Sequence, residues 1–412
     1  MNILPTPRHM MPPKLNGHIK TATPDDEAVL KKNIMAYTSS MDQLDMTRLN
    51  YVLNTKNSFS DKNFTAHHVE QALAKDTLEP EDFMALLSTA AAPYLEAMAQ
   101  KAKTLTRARF GNNVQLFTPL YIANYCHNGC RYCGFNSKQT IKRAQLSMDD
   151  VKRELESIAQ TGLQEILFLT GESESRSSIE YIAAALELAK PYFANIGIEI
   201  YPANQADYEI LHQAGADFIT VFQESYDLKA YEYYHPYGNK RSFPYRFYAQ
   251  ERALNSGFRG AGFAALLGLS NFRYDALATG LHVWSTQQAF PAAELSFSVP
   301  RLRPVNGELG HFNHLVSDRD FLQIMCAYRL FVPQAQITVS SRESKEFRNA
   351  VMNICATKVS AGVQVDVGGH SASNKHRSSD QFDISDTRSV AEMHDDIQKL
   401  GLQVVYHDHI RV

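Results

Sequence analysis

From Val114 onward the chain alternates between short β-branched runs and stretches of helical periodicity, and this alternation restricts the fold more than any other feature of its 412 residues. Val114 to Ala123 (VQLFTPLYIA), Glu165 to Thr170, Ile196 to Tyr201, Asp217 to Phe222, Gly260 to Leu267, Glu294 to Val299, Gln336 to Val339 and Ile354 to Val359 read as strands. Helices fit between them. One opens at Ser147 as S-x-x-D, with Met148, Val151, Leu155 and Ile158 on one face; others fit Ile179 to Ala189, Arg246 to Asn255, Arg273 to Gln288, Arg319 to Phe331 and Ser344 to Met352. Eight such units in about 250 residues have the size and order of an α/β protein of the (β/α)8 TIM-barrel type. A doubly wound open sheet is the competing architecture.

The flanks read differently. The first 25 or so residues, rich in Pro and Met without periodicity, read as a flexible lead. Pro24 to about Thr106 has helical spacing, with turn signals at Asn54-Thr55 and Glu79-Pro80, and the Ala-rich run Met84 to Ala99 reads as one helix. Beyond Gly362 a Gly/Ser/Asn/His-rich loop precedes a helix at Val390 to Leu400 and a strand at Leu402 to His407. The expected division is a lead over 1–25, a helical region over 26–110, the barrel over 111–362 and a C-terminal segment over 363–412. With 44% hydrophobic and 21% charged residues the chain can build a core, and its net charge of -3 gives no field to attract nucleic acid or an anionic membrane. No run reaches the ~18 apolar residues of a membrane span, and prolines interrupt any signal-peptide core, so the cytoplasm is the expected compartment.

Three of the five cysteines fall in LYIANYCHNGCRYCGF, as C-x3-C-x2-C directly after the first barrel strand. Barrel active sites lie at the C-terminal ends of strands. Cys126, Cys130 and Cys133 can surround a soft centre, either zinc or an iron-sulfur cluster. Structural zinc wants four protein ligands, whereas a four-iron cluster on three cysteines keeps one iron open. A zinc module completed by His127 or another distant ligand is the alternative, but no second Cys or His pair has zinc spacing. Cys326 and Cys355 read as packing cysteines.

With Tyr132 inside it, the cysteine motif resembles that of the radical S-adenosylmethionine enzymes, in which three cysteines hold a 4Fe-4S cluster and S-adenosylmethionine chelates the open iron. The stretches FLTGES, VFQESYD, ALLGLSNFRYD, SVPRLRP, IMCAYRLFVP, ITVSSRES and QFDISDTRS further resemble the tyrosine lyases of thiamine biosynthesis, in consistent order from about Phe64 to Asp408. A sister lyase of hydrogenase maturation carries a second cysteine cluster in a C-terminal extension; the lack of cysteines after Cys355 argues against it.

The resemblance implies site roles. Gly171-Glu172, with Ser173, should meet the ammonium of S-adenosylmethionine, Tyr132 and Phe135 should flank the cofactor, and Gln223, Glu224 and Ser225 are candidates for its ribose or amino group. Arg246 stands where the related biotin synthase keeps an arginine for the cofactor carboxylate. Arg342 is a planar bidentate donor suited to a substrate carboxylate, with Ser340 or Ser341 as second donor according to the strand's period of two. Arg301 and Arg303 are further strand-end cations. The implied enzyme is a carbon-carbon lyase: cleavage of S-adenosylmethionine to methionine and a 5'-deoxyadenosyl radical, hydrogen removal from the amino group of L-tyrosine, and Cα-Cβ scission to 2-iminoacetate and p-cresol. A lyase for another aromatic amino acid is the nearest alternative. Implied partners are a thiazole synthase and an electron donor such as flavodoxin or ferredoxin. The lead is longer than the family pattern. His370, in VDVGGHS, replaces an aromatic residue that could touch the phenol side of the substrate or the partner.

Overall fold

The computed structural model describes residues 17–302, 314–371 and 378–407. Nine strands form one sheet: β1 (Asn113–Ala123), β2 (Glu165–Thr170), β3 (Asn195–Glu199), β4 (Phe218–Glu224), β5 (Gly260–Ala265), β6 (Glu294–Ser298), β7 (Gln336–Val339), β8 (Lys358–Ser360) and β9 (Gln403–Val405). The order runs from β2 through β8 to β1, and β1 also pairs with β2, so the first eight strands close into a parallel barrel. Closure removes both sheet edges and rules out the open-sheet alternative. β9 adds outside the ring, pairing Asn113↔Gln403 to Gln115↔Val405 at the start of β1.

The last three residues of the first strand and of the fourth carry register shifts, between Tyr121 and Ala123 and between Phe222 and Glu224. Both irregularities lie at the C-terminal mouth, where a bulge re-aims a side chain. The opposite end is plugged by polar groups: Lys358 pairs with Glu165, Gln115 Nε2 donates to Glu165 at 2.7 Å, and Gln336 Nε2 donates to Gln115 Oε1 at 3.1 Å.

Several expectations shift. Asn54-Thr55 is no turn but lies inside the helix Thr47–Ser58, where burial of Val52, Leu53 and Lys56 overrides local preference. The run Met84 to Ala99 is two helices, Pro80–Leu87 and Leu95–Phe110, joined by a 3-10 segment containing Pro93, which lacks an N–H for the helical ladder. The eighth strand is shorter than expected, because the amides of Ile354, Cys355 and Ala356 turn back to the Val351 carbonyl. Arg246 to Asn255 divides into Phe243–Phe247 and Ala249–Asn255. Of the lead, residues 1–16 lie outside the described residues, and a capped helix already begins at Pro24.

The first helix, Pro24–Lys32, lies beside the mouth, where Glu27 shares a small cavity with His127 and Glu172, whereas the helices between Thr47 and Phe110 pack on the barrel's flank. They cover Phe272–Ala289, whose residues are buried nearly all round, and Asp318–Phe331. Phe83 stacks on Phe331 with centroids 4.3 Å apart, and a Cβ on Gly280 would collide with the Phe83 ring, so helix and ring touch directly. Gln323 Nε2 donates to the carbonyls of Leu86 and Ser88 at 2.8 and 2.9 Å, satisfying the helix end above it. No described helix is long and apolar enough to cross a membrane. Phe83→Ala is expected to cost about 3–5 kcal/mol, read as a lower midpoint in urea unfolding with the native far-UV spectrum retained.

Candidate active site

Two cavities meet at the mouth of the barrel. The outer one encloses about 600 Å³ and is lined by Cys126, Cys130 and Cys133 together with Glu172, Glu224 and Arg246. The inner one, about 900 Å³, extends down the barrel between Phe117, Phe218 and Phe222, with Ser340 and Arg342 on its wall. Tyr121, Leu169, Glu199, Thr220, Phe222 and Gln381 line both, so the two volumes adjoin.

All three loop cysteines are free thiols. Burial raises each thiol, with Cys126 pushed up to about 12 by desolvation and then by Glu172 and Cys133. Such thiols stay protonated in a dry pocket until a metal centre displaces the proton. No three His, Cys, Asp or Glu among the described residues gather at the spacing of one metal ion. Thiols spread around a shared cavity suit a polynuclear cluster, where each ligates a different iron. The residues therefore fit a 4Fe-4S group. The loop is held from below by backbone bonds: His127 N donates to Glu172 O at 3.0 Å, and Gly171 N to Ala123 O at 2.9 Å.

Four charged groups fix the outer cavity's field. Glu172 accepts from Arg246 Nη1 at 2.8 Å and from Asn128 Nδ2 at 2.7 Å. Glu224 accepts from Lys240 Nζ at 2.8 Å, and Lys240 also lies 3.6 Å from Glu172. Burial disfavours the ionised Glu172, but Arg246 and Lys240 overcome it and hold its carboxyl below the usual value. Burial and Arg246 likewise oppose the charge on Lys240, and Glu224 with Glu172 hold it above the usual lysine value. Two carboxylates thus balance two cations. Glu224 has φ 71°, the only positive φ outside glycine among the described residues, at the bulge that ends β4. That strained turn aims the carboxylate into the cavity.

The expected residues divide. Gly171, Glu172, Glu224, Arg246, Phe135 and the cysteines line the outer cavity. Gln223 does not: on β4 the alternate residues Phe222 and Glu224 face inward, and Gln223 points outward, its amide 3.5 Å from Phe243 O. Ser225 is spent on Ser270 and Asp275. Ser173 bonds His127 Nε2 at 3.2 Å, behind the loop. Tyr132 turns from the cavity to His235, whose Nδ1 donates to Tyr231 O at 2.8 Å, leaving Nε2 to accept the Tyr132 hydroxyl at 2.9 Å. Arg301 is consumed by Glu343 and Asp318, and Arg303 lies outside the described residues. His370 lines neither cavity; its Nε2 meets the carbonyl of Pro119, a residue of the inner cavity's wall, at 2.9 Å.

Arg342 differs from the other arginines at the mouth. It makes no hydrogen bond to the described residues, and its only close partner is the Phe382 ring face, 3.4 Å from the guanidinium carbon. Among the described residues none takes up its donors. Ser340 continues the inward face of Thr338, as a period of two requires; Ser341 also lines the inner cavity, with its backbone amide tied to Ser360 Oγ. Sequence reading missed Glu199, Lys240, Gln381 and Phe382. A lone charge ending the apolar strand NIGIE was a usable signal for Glu199; Lys240 stands in an aperiodic segment that offered none.

Residues 120–276 match the Radical SAM superfamily, and residues 298–403 match the Biotin and Thiamin Synthesis associated domain. A parallel barrel whose first strand runs into this three-cysteine loop defines a radical S-adenosylmethionine protein. The chain is 36% identical over 345 residues to 2-iminoacetate synthase of Escherichia coli, covering 84% of this chain and 91% of that one. It belongs to the 2-iminoacetate synthase family. The crystal structure of HydG, a maturase of the FeFe-hydrogenase, is 29% identical with TM-score 0.78 over 87% of this chain and 80% of that one. HydG from Carboxydothermus hydrogenoformans, 24% identical with TM-score 0.80, shares the fold.

Gly171 offers a direct test of the loop. A Cβ there would overlap the Tyr125 carbonyl, a backbone atom that cannot rotate away. Gly171→Ala is expected to displace the cysteine loop, lowering bound iron at least twofold while the barrel's circular dichroism is unchanged.

Proposed function

We propose that this protein is a radical S-adenosylmethionine lyase that cleaves the Cα-Cβ bond of L-tyrosine to 2-iminoacetate and p-cresol for thiazole formation. The observation that carries this reading is Arg342, a half-buried guanidinium with no hydrogen bond to the described residues, on the wall of an aromatic-lined cavity that adjoins the one holding the three cysteines. A planar fork matches a carboxylate, and Phe117, Phe218 and Phe222 offer ring faces to an aromatic side chain.

When bound, a 4Fe-4S cluster on Cys126, Cys130 and Cys133 with S-adenosylmethionine supplies the hydrogen-abstracting radical. The chain's own residues do the rest. Glu172, with Gly171 beside it, is suited to the cofactor's ammonium and Arg246 to its carboxylate, while Glu224 reaches the polar groups further out. Arg342 and Ser340 hold the substrate carboxylate and fix the amine toward the outer cavity. Phe382 and Gln381 roof the junction, where exclusion of water protects a reactive centre. Tyr132, Phe135 and Ser173 support the loop. Gln223 is withdrawn as a cofactor contact, since it faces outward.

We further read the chain as a 1–25 lead, a helical region to 110, the barrel to 362 and a covering segment beyond. A thiazole synthase would take the unstable imine, a flavodoxin or ferredoxin would donate the electron, and the free cysteines favour a reducing cytoplasm.

Anaerobic reconstitution should give a brown protein with about four irons per chain; a colourless protein with one zinc would overturn the enzyme reading. Cys130→Ala should lose the colour, and Cys326→Ala, remote and buried, should keep it. With a reductant, S-adenosylmethionine and tyrosine, the expected products are 5'-deoxyadenosine and p-cresol. Formation of 5'-deoxyadenosine without p-cresol would favour another aromatic amino acid. Arg342→Lys should raise the KM for tyrosine about tenfold or more by losing the bidentate fork.

A further inference from the structure

Charge balance at the mouth leaves one carboxylate over. Glu172 and Glu224 are matched by Arg246 and Lys240 at 2.8 Å each. Glu199, the last residue of β3, pairs with Leu169 through its backbone, but its carboxylate makes no hydrogen bond or ion pair with the described residues. It nevertheless lines both cavities. Arg342 is the cation that acts on it most strongly, and Arg342 also makes no hydrogen bond with the described residues; both line the inner cavity, so two groups of opposite charge face the same junction.

An α-amino acid presents a carboxylate and an ammonium on one carbon, so a site that recognises it needs a cation and an anion side by side. We propose that Glu199 is the acceptor for the substrate's α-ammonium, and that Glu199 and Arg342 together hold the amino-acid zwitterion where the two cavities join. This rests on the amino-acid lyase reading above. The placement puts the amine, the group from which hydrogen is removed, on the side of the cysteines, because Glu199 alone of the pair also lines the outer cavity.

The state of the empty pair agrees with the role. Burial pushes Glu199 up to about 7 even though Arg342, Arg246 and Lys240 act in the opposite direction; Glu224 adds to the rise, and Tyr121 on β1 faces the same carboxylate. A buried carboxylate without donors is costly, and an arriving ammonium supplies them. If Glu199 were only a counter-ion for Arg342, removing its charge would affect every carboxylate ligand alike. If it binds the amine, only ligands with an amine suffer.

Equilibrium dialysis of the reconstituted holoenzyme separates these. The ligands are L-tyrosine and 3-(4-hydroxyphenyl)propionate, which lacks the amine. The wild type should prefer tyrosine by about tenfold or more. Glu199→Gln should abolish that preference by weakening tyrosine alone, with iron content and S-adenosylmethionine binding unchanged. Retention of the wild-type ratio by Glu199→Gln, or an equal loss for both ligands, would overturn the proposal. Should the glutamine variant fail to take up iron, Glu199→Asp serves instead: the charge is kept but its reach shortened, and the preference should fall with the desamino ligand unaffected. A wild type that binds and discriminates tyrosine yet forms no p-cresol sinks the tyrosine-lyase reading while leaving the zwitterion pair standing. One that shows no preference for tyrosine sinks the pair.

Discussion

Closure at β1 is the constraint on which the rest of the molecule depends. The first strand meets the eighth as well as the second, so no strand of the ring keeps an unpaired edge. Its eleven residues make this possible: the early ones pair with β9 and β8, and the later ones with β2. Because β1 spans the barrel's full height, its end delivers the cysteine loop to the mouth. The loop's position is thus a consequence of closure, and Gly171, pressed against the Tyr125 carbonyl from the end of β2, fixes it there.

In the outer cavity two carboxylates are met by two cations. The pairs are Glu172–Arg246 and Glu224–Lys240, and burial works against the charge on Glu172, Arg246 and Lys240 taken singly. The result is an outer cavity in which Glu172 is held below the usual carboxylate value, beside an inner one in which the side chains of Glu199 and Arg342 make no hydrogen bond with the described residues. The strained φ of Glu224 belongs to the same design, since only the bulge brings that carboxylate within reach of Lys240.

Sequence periodicity made the barrel legible because each strand is a short apolar run with turn residues on both sides; Gln336–Val339 and Glu165–Thr170 stand where the pattern put them. It failed where packing outranked local preference, as at Asn54-Thr55, or where one residue overruled a strong composition, as at Pro93. The cysteines were legible because metal ligation needs a local spacing. Gln223 and Glu224 were not separable by motif alone, for adjacent residues face opposite ways and the bulge determines the side. Lys240 was invisible: its role arises from the approach of a 3-10 turn, Asn239–Arg241, to two carboxylates distant in sequence.

The C-terminal segment shows why this barrel needs more than eight units. Gln381 donates to Cys133 Sγ at 3.9 Å and accepts from the Tyr121 hydroxyl at 2.8 Å, and its neighbour Phe382 covers Arg342. One short stretch therefore touches the cysteine loop and the substrate wall together. Its anchor is Asp386, which accepts from Arg348 Nη1 at 2.6 Å and is gripped by Arg388. Burial pushes Asp386 up, but Arg388 and Arg348 hold it at about 2, so the anchor stays charged throughout the range in which the protein works. Gln381 and Phe382 therefore join the wall of the inner cavity to the cysteine loop, and the Asp386 anchor ties that stretch to the barrel through Arg348, so the last segment of the chain completes the site that the eight units alone leave open.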